Sequence, residues 1–242
     1  MFQPGGPTLI ELLHEALSST CRGYDLLAPK FDRTPFRTPA VILETVVRAL
    51  TPAGCVLDVG CGTGASLAAL TPIATDRLVG LDFSSGMLAV ARQVRRSAGA
   101  VPIALIRADA RAMPFGMGFD LVTCFGALGH FVGADADGLV REIARVLRPG
   151  GSFVFVTAAR PSIGSRRWLF AYACKTTMRV RNALVRPPFV MDYLAFTLPD
   201  VLATLHRNGF APTIIDATFP PPFQRGRLLI ARKANTVLQH RS

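Results

Sequence analysis

The chain has little of what would mark a metal, disulfide or membrane-spanning protein. Its five cysteines (Cys21, Cys55, Cys61, Cys124 and Cys174) are scattered, and no two form a CxxC pair. That spacing argues against a zinc site and against a disulfide framework, so free, mostly buried thiols are expected and no metal ligand is nominated. Long apolar runs are missing too. The longest aromatic-aliphatic stretch, Trp168–Cys174, falls far short of the roughly 20 residues that cross a bilayer. The opening MFQPGGPTLI has no basic stretch followed by an apolar run, so it does not read as a signal peptide, and a cytoplasmic protein is expected. Internal repeats and low-complexity tracts are absent.

What is present is apolar bulk and unevenly placed charge. With 242 residues, half of them apolar, the chain suits one domain with a modest insertion. The formal net charge of +11 lies almost wholly in the second half. Residues 1–120 carry 11 Lys/Arg against 10 Asp/Glu, and residues 121–242 carry 16 against 6. The densest block holds Arg160, Arg166, Arg167, Lys175, Arg179, Arg181 and Arg186 with no acid between them. Such a block suits a phosphate, a carboxylate or an anionic membrane surface, or is simply a solvated face.

From Gly54 onward, short apolar runs alternate with helix-period segments, the pattern of a doubly wound α/β sheet. Strands are expected at Cys55–Val59, Arg77–Asp82, Pro102–Arg107, Asp120–Phe125 and Ser152–Thr157, each nearly continuously apolar as a sheet covered on both faces requires. Helices are expected near Ala65–Leu70, Ser84–Ser97 (with Ser84 as N-cap) and Ala136–Leu147, the last stopped by Arg148-Pro149-Gly150-Gly151. The lead-in, residues 1–53, reads as helices at Thr8–Ser19 and Pro39–Leu50 around a loop or short turn at Tyr24–Arg33. The core would span residues 54–158, an Arg-rich helical insertion residues 159–197, and a helix (Leu198–Asn208) with two strands (Pro212–Phe219, Leu228–Arg232) residues 198–233. Residues 234–242 read as a frayed tail.

The chemistry concentrates where the first strand, within Val56–Gly64 (VLDVGCGTG), runs into Gly60-Cys61-Gly62-Thr63-Gly64 and then a helix. Glycines let a backbone turn sharply against a ligand, and the helix presents unpaired N–H groups to it. The GxGxG spacing leans away from a pyrophosphate site. Asp82, at the end of the second strand, stands where an acid holds the ribose hydroxyls of an adenosine cofactor.

Four features in order resemble the class I S-adenosylmethionine-dependent methyltransferases, over roughly residues 40–158. They are the glycine loop, Asp58 preceding it within LDVGCGTG, RADARAMPF (Arg107–Phe115), and FDLVTCFGALGHF (Phe119–Phe131) followed by REIARVLRPGG (Arg141–Gly151). Asp82, at a spacing shared with NAD enzymes, supports an adenosine cofactor only. The set most resembles the branch of ubiquinone and menaquinone C-methyltransferases. The resemblance implies a seven-stranded sheet of order 3-2-1-4-5-7-6 with the last strand antiparallel. It implies S-adenosylmethionine as cofactor and S-adenosylhomocysteine (SAH) as its product. It also implies residue roles. Asp58, Gly60, Cys61, Gly62 and Gly64 belong to the loop around the methionine part, and Phe125 offers backbone near the amine. Asp82 binds the ribose, Phe83 and Met87 flank the adenine, and Asp109 with Ala110 reads its edge. Tyr24, in YDLLAPKFD, folds over the cofactor, although Phe31 stands where a second tyrosine is common.

His130, just past the fourth strand, is the candidate base or acceptor-binding residue, set against a histidine that merely supports its loop. Cys124 lacks the preceding proline of cytosine-methylating enzymes and reads as packing. FGAL replaces the [DN]PP[YF] motif of amino-methylating nucleic-acid enzymes. The expected acceptor is a small molecule, partly hydrophobic from the insertion's Trp168, Phe170, Tyr172 and Met178, or anionic from its arginines. Two rivals remain at this point, an RNA methyltransferase using the basic half and a non-catalytic cofactor-binding module. Peripheral membrane contact through residues 160–186 is a further expectation.

Overall fold

Alternation within each apolar run is what builds the core. In the computed structural model, which describes residues 3–97, 101–192, 194–215 and 217–235, seven strands form one sheet of order β3-β2-β1-β4-β5-β7-β6. These are β1 (Ala53–Val59), β2 (Ala74–Asp82), β3 (Ile103–Arg107), β4 (Phe119–Thr123), β5 (Leu147–Ala158), β6 (Phe210–Ile215) and β7 (Gly226–Lys233). β1 to β5 pair in parallel, and β7 runs antiparallel to both its neighbours, the topology the resemblance implies. Successive strand residues serve opposite faces. Leu57, Val59, Val122, Phe153 and Phe155 join one core, while Val56, Leu121 and Val154 join the other.

Helices cover both cores. The first lies under α6 (Ala134–Val146) and α8 (Asp200–Arg207), through Leu139, Ile143 and Leu205. The second lies under α3 (Ala40–Arg48), α4 (Ala65–Leu70) and α5 (Ser85–Ser97), through Val46, Leu67 and Leu88. Ser84 is the N-cap of α5, its hydroxyl accepting the Met87 N–H at 3.1 Å. Three sequence expectations need correction. Tyr24–Arg33 is not a loop or short turn but helical: it falls in α2 (Thr20–Leu27) and a 3-10 helix, Ala28–Arg33. Gly23, which weakens the helical pattern, is there because a Cβ would stand 3.0 Å from the Phe189 ring and 3.1 Å from Glu15. Arg148-Pro149-Gly150-Gly151 does not separate helix from strand; it is a bulge inside β5, where the register against β4 shifts between Phe119 and Leu121. The sixth strand ends at Ile215 and not at Phe219, and tolerates Pro212 because it is an edge strand.

The lead-in helix α1 (Leu9–Leu17), α2 and the insertion helix α7 (Arg166–Leu184) form a cap at the carboxyl end of the sheet. Polar ties hold it. The Arg181 guanidinium donates to the carbonyls of Ala16 at 2.7 Å, Ser18 at 2.6 Å and Pro187 at 2.6 Å. Asn182 brackets Phe189, and Val190 N–H donates to the Thr20 hydroxyl at 3.0 Å. Most of the tail expected at residues 234–242 lies outside the described residues.

Candidate active site

The carboxyl ends of β1, β2 and β4 and the cap enclose a cavity of about 770 Å³. Its floor is the turn after β1. Gly60 (φ +69°) and Gly62 (φ +52°) take the left-handed backbone that side chains resist. A Cβ on Gly60 would stand 2.5 Å from that of Ala127, whereas one on Gly62 would meet nothing within 4 Å. Gly60 is thus demanded by packing, and Gly62 opens the backbone to the cavity. Asp82 ties this turn to α5: its carboxylate accepts the Gly62 N–H and the Ser84 N–H, each at 2.9 Å. Burial pushes the Asp82 carboxyl up, against the pull of those N–H groups.

Two loop positions are not on the cavity wall, which corrects their expected place beside the methionine part. Asp58 is wholly buried under the turn, where it accepts the Ser66 hydroxyl and, at 2.7 Å, the Thr123 hydroxyl. Burial pushes its carboxyl up to about 7 despite those donors. Gly64 is the left-handed N-cap of α4, and a Cβ there would meet Val94 at 3.0 Å and Ala91 at 3.3 Å on α5. Both residues shape the floor from behind. Cys61 and Phe125 do line the cavity, and Cys124 is fully buried behind it with its thiol pushed up by desolvation, as packing requires.

Phe83, Met87, Asp109 and Ala110 line the side wall. Asp109 carries a partner that the sequence reading missed. The Arg111 guanidinium bridges Asp109 at 2.7 Å and Asp135 at 3.2 Å, holding the Asp109 carboxyl below the usual carboxylate range. Asp109 therefore stays an anion that can still accept from an amino group. The clue was the RADAR spacing, with Arg111 two residues past the acid.

The roof brings together Tyr24 and His130, more than a hundred residues apart in the chain. Tyr24 Oη lies 2.8 Å from His130 Nε2, and the rings meet edge-on at 5.2 Å between centroids. His130 Nδ1 contacts the Val190 carbonyl oxygen. A carbonyl can only accept, so Nδ1 carries the proton and Nε2 accepts from the tyrosine hydroxyl. Burial pushes the imidazole pKa down, keeping the ring neutral near pH 7. Phe31, Phe83 and Phe189 surround Tyr24 at centroid distances of 6.1–6.3 Å.

Basic residues of the 160–186 block do not line the cavity; Arg37 and Arg111 do. Arg160 pairs with Asp200, and Lys175 with Asp192 at 2.7 Å. The insertion lines the cavity through Phe170, one of the apolar residues expected there, and through residues 190–192 and 195–197, which pattern reading did not single out. Among the described residues, no group of three or more His, Cys, Asp or Glu could hold a metal ion, and no helix is long and apolar enough to cross a membrane.

Comparison with known proteins agrees with this geometry. A methyltransferase-domain family profile matches residues 56–151. The chain is 31% identical over 182 residues to a demethylmenaquinone methyltransferase of Renibacterium salmoninarum, covering 71% of this chain and 73% of the relative. The chain belongs to the class I S-adenosylmethionine-dependent methyltransferases. Within that family it sides with the demethylmenaquinone methyltransferases; a Shouchella clausii member is 34% identical over 125 residues, half of this chain and 52% of the relative. The first curated relatives are matched over about half to two thirds of their own length. A solved DhpI–SAH complex shares the methyltransferase fold, with a TM-score of 0.66 at 19% identity over 91% of this chain and 98% of that one.

The family's cofactor is S-adenosylmethionine, and the residues present fit it. The open space at Gly62 admits a ligand against bare backbone. Asp82 beside it keeps accepting capacity on both oxygens for a pair of hydroxyls, and Asp109 offers an anionic acceptor further along the wall.

Proposed function

We propose that this methyltransferase methylates a small, partly hydrophobic acceptor of the quinone or phenol type, with Tyr24 and His130 taking the acceptor's proton. One observation carries the reading: a single cavity joins the polar glycine floor to an apolar roof holding a paired tyrosine and neutral histidine. The names of the related demethylmenaquinone methyltransferases support an aromatic acceptor, and Phe31, Phe36, Phe131, Phe170 and Met191 supply walls for one. The anionic acceptor suggested by the insertion's arginines draws no support from the cavity wall, and neither does RNA.

When bound, S-adenosylmethionine supplies an electrophilic methyl group on a sulfonium. The chain's own tasks are then positioning, water exclusion and one proton. Asp82 and Asp109 would hold the adenosine end, and the Gly60–Gly62 backbone the methionine end. Arg37 Nε is buried without a hydrogen bond, 3.2 Å from Asp32 Oδ1 but poorly aligned with it, so a donor is left on the wall for a carboxylate. A hydroxyl placed at Tyr24 Oη would pass its proton to Tyr24 as the tyrosine proton moves to His130 Nε2, while Val190 O holds the Nδ1 proton. The fall of His130 below its ordinary value keeps the base free at neutral pH, so turnover should be flat near pH 7–8 and decline only on the acid side of the ordinary imidazole range.

The test is single-turnover methyl transfer to a panel of naphthoquinols and phenols. Tyr24→Phe and His130→Ala should each lower kcat by about 10²-fold, the low end of acid–base contributions, while SAH affinity stays within about threefold. Wild-type turnover with an unchanged kcat in both variants would remove the proton-relay reading.

A further inference from the structure

α1 is assembled inside out. It turns Glu15 inward, 8% exposed, and leaves Leu9, Ile10, Leu13 and Leu17 in solvent, Leu9 at 83%. These four fall on one helix face, so the exposure is a stripe and not scattered residues. α7 repeats the arrangement: Ala171 is its one buried residue, and Leu169, Ala173, Val180 and Leu184 fall at i, i+4, i+11 and i+15 on the outer side. Leu184 is 79% exposed. Arg181 binds carbonyls at the C-terminal end of α1, so the two helices are neighbours in one cap. A solvated helix buries such residues; two adjacent helices that expose them mark a surface meant for an apolar medium.

Charge says which medium. α7 carries five basic residues and no acid. Lys175 is taken up by Asp192 and Arg181 by carbonyls, but Arg166, Arg167 and Arg179 are exposed, and no ion pair among the described residues involves them. Arg186, just past the helix, and Arg22 on α2 are exposed as well. A soluble apolar partner would not need that unopposed cationic fringe, whereas an anionic bilayer matches both halves, with acyl chains for the leucines and phosphates for the guanidinium groups. The same helix contributes Phe170, 66% exposed, to the cavity wall.

From this we infer that the outer faces of α1 and α7 dock the protein on an anionic phospholipid surface, with the cavity's Phe170 side turned toward the bilayer. The inference concerns binding alone and stands whatever the acceptor proves to be. It goes further than a basic segment near lipid, because it assigns the apolar contact to α1, which carries no arginine.

Flotation of the full chain with phosphatidylcholine vesicles, with and without phosphatidylglycerol, tests it. Wild type should bind the anionic vesicles at least about tenfold more strongly than the neutral ones, and added salt should weaken that preference. Leu9→Ser/Leu13→Ser and Val180→Ser/Leu184→Ser should each lower anionic-vesicle binding about tenfold or more, with unchanged circular dichroism and thermal midpoint. Ile214→Ser, an exposed apolar residue on the edge strand β6, should bind as wild type. No vesicle binding by wild type, equal loss in Ile214→Ser, or lipid-free self-association that the leucine substitutions abolish would each overturn the inference.

Discussion

Two buried acids, one in the floor and one in the cap, show how differently the two regions are built. Burial pushes both Asp58 and Glu15 up to about 7. Asp58 sits between two donating hydroxyls, Ser66 and Thr123, at the centre of the sheet. Glu15 has desolvation as its sole perturbation, and no hydrogen bond reaches its carboxyl among the described residues. The same shift thus reports a completed network in one place and an uncompensated cost in the other. The floor is over-determined, whereas the cap accepts a loss of stability and exposes leucines where a membrane-facing lid would carry them.

Substitution should pull the two apart. The largest effect belongs to Asp58→Ala, which strands both hydroxyls and opens a cavity in the core; urea unfolding should show about 3 kcal/mol lost. Glu15→Gln should act in the opposite sense. A carboxyl whose folded pKa is raised favours the folded state fully below its ordinary 4.5, and that support is lost as pH rises through about 7. The glutamine variant should therefore match wild type near pH 4 relative to its own baseline and gain about 1–2 kcal/mol above pH 7, discounted for the carboxyl's residual contact with water. A destabilised Glu15→Gln at pH 8 would mean that the cap hides a partner for this acid. Smallest of all, Arg160→Ala breaks an exposed pair with Asp200 and should shift stability by less than about 0.5 kcal/mol.

The floor was legible in the sequence because its rules are local. Glycines in a turn, an acid at a strand end and continuous apolar runs each need only their neighbours to be recognised. The parallel strands and the places of Gly60, Gly62 and Asp82 at their ends were therefore readable, whereas the strand order came from the family resemblance. Gly64 and Asp58 share the motif but face the other way, which spacing alone does not separate: one packs on α5 and the other under the turn. The cap was less legible because its contacts are distant in sequence. Nothing local pairs Tyr24 with His130, binds Arg111 to Asp135, or sends Arg181 to the carbonyls of Ala16 and Ser18. Helix α2 was hidden by Gly23, whose reason is a close approach to Phe189 far along the chain. The insertion's arginines signalled charge correctly, yet they face outward or tie the cap together, and the cavity receives Phe170 and residues 190–192 and 195–197 instead.

Calorimetric titration with SAH tests most directly the claim that the floor holds the cofactor. Wild type should bind one SAH per chain. Asp82→Ala, which removes the acceptor of the Gly62 and Ser84 N–H groups and of the ligand's hydroxyls, should bind it more weakly by about 1–3 kcal/mol. Val180→Ser/Leu184→Ser should bind as wild type. Unchanged affinity in Asp82→Ala, or no binding by the wild-type chain, would contradict the account.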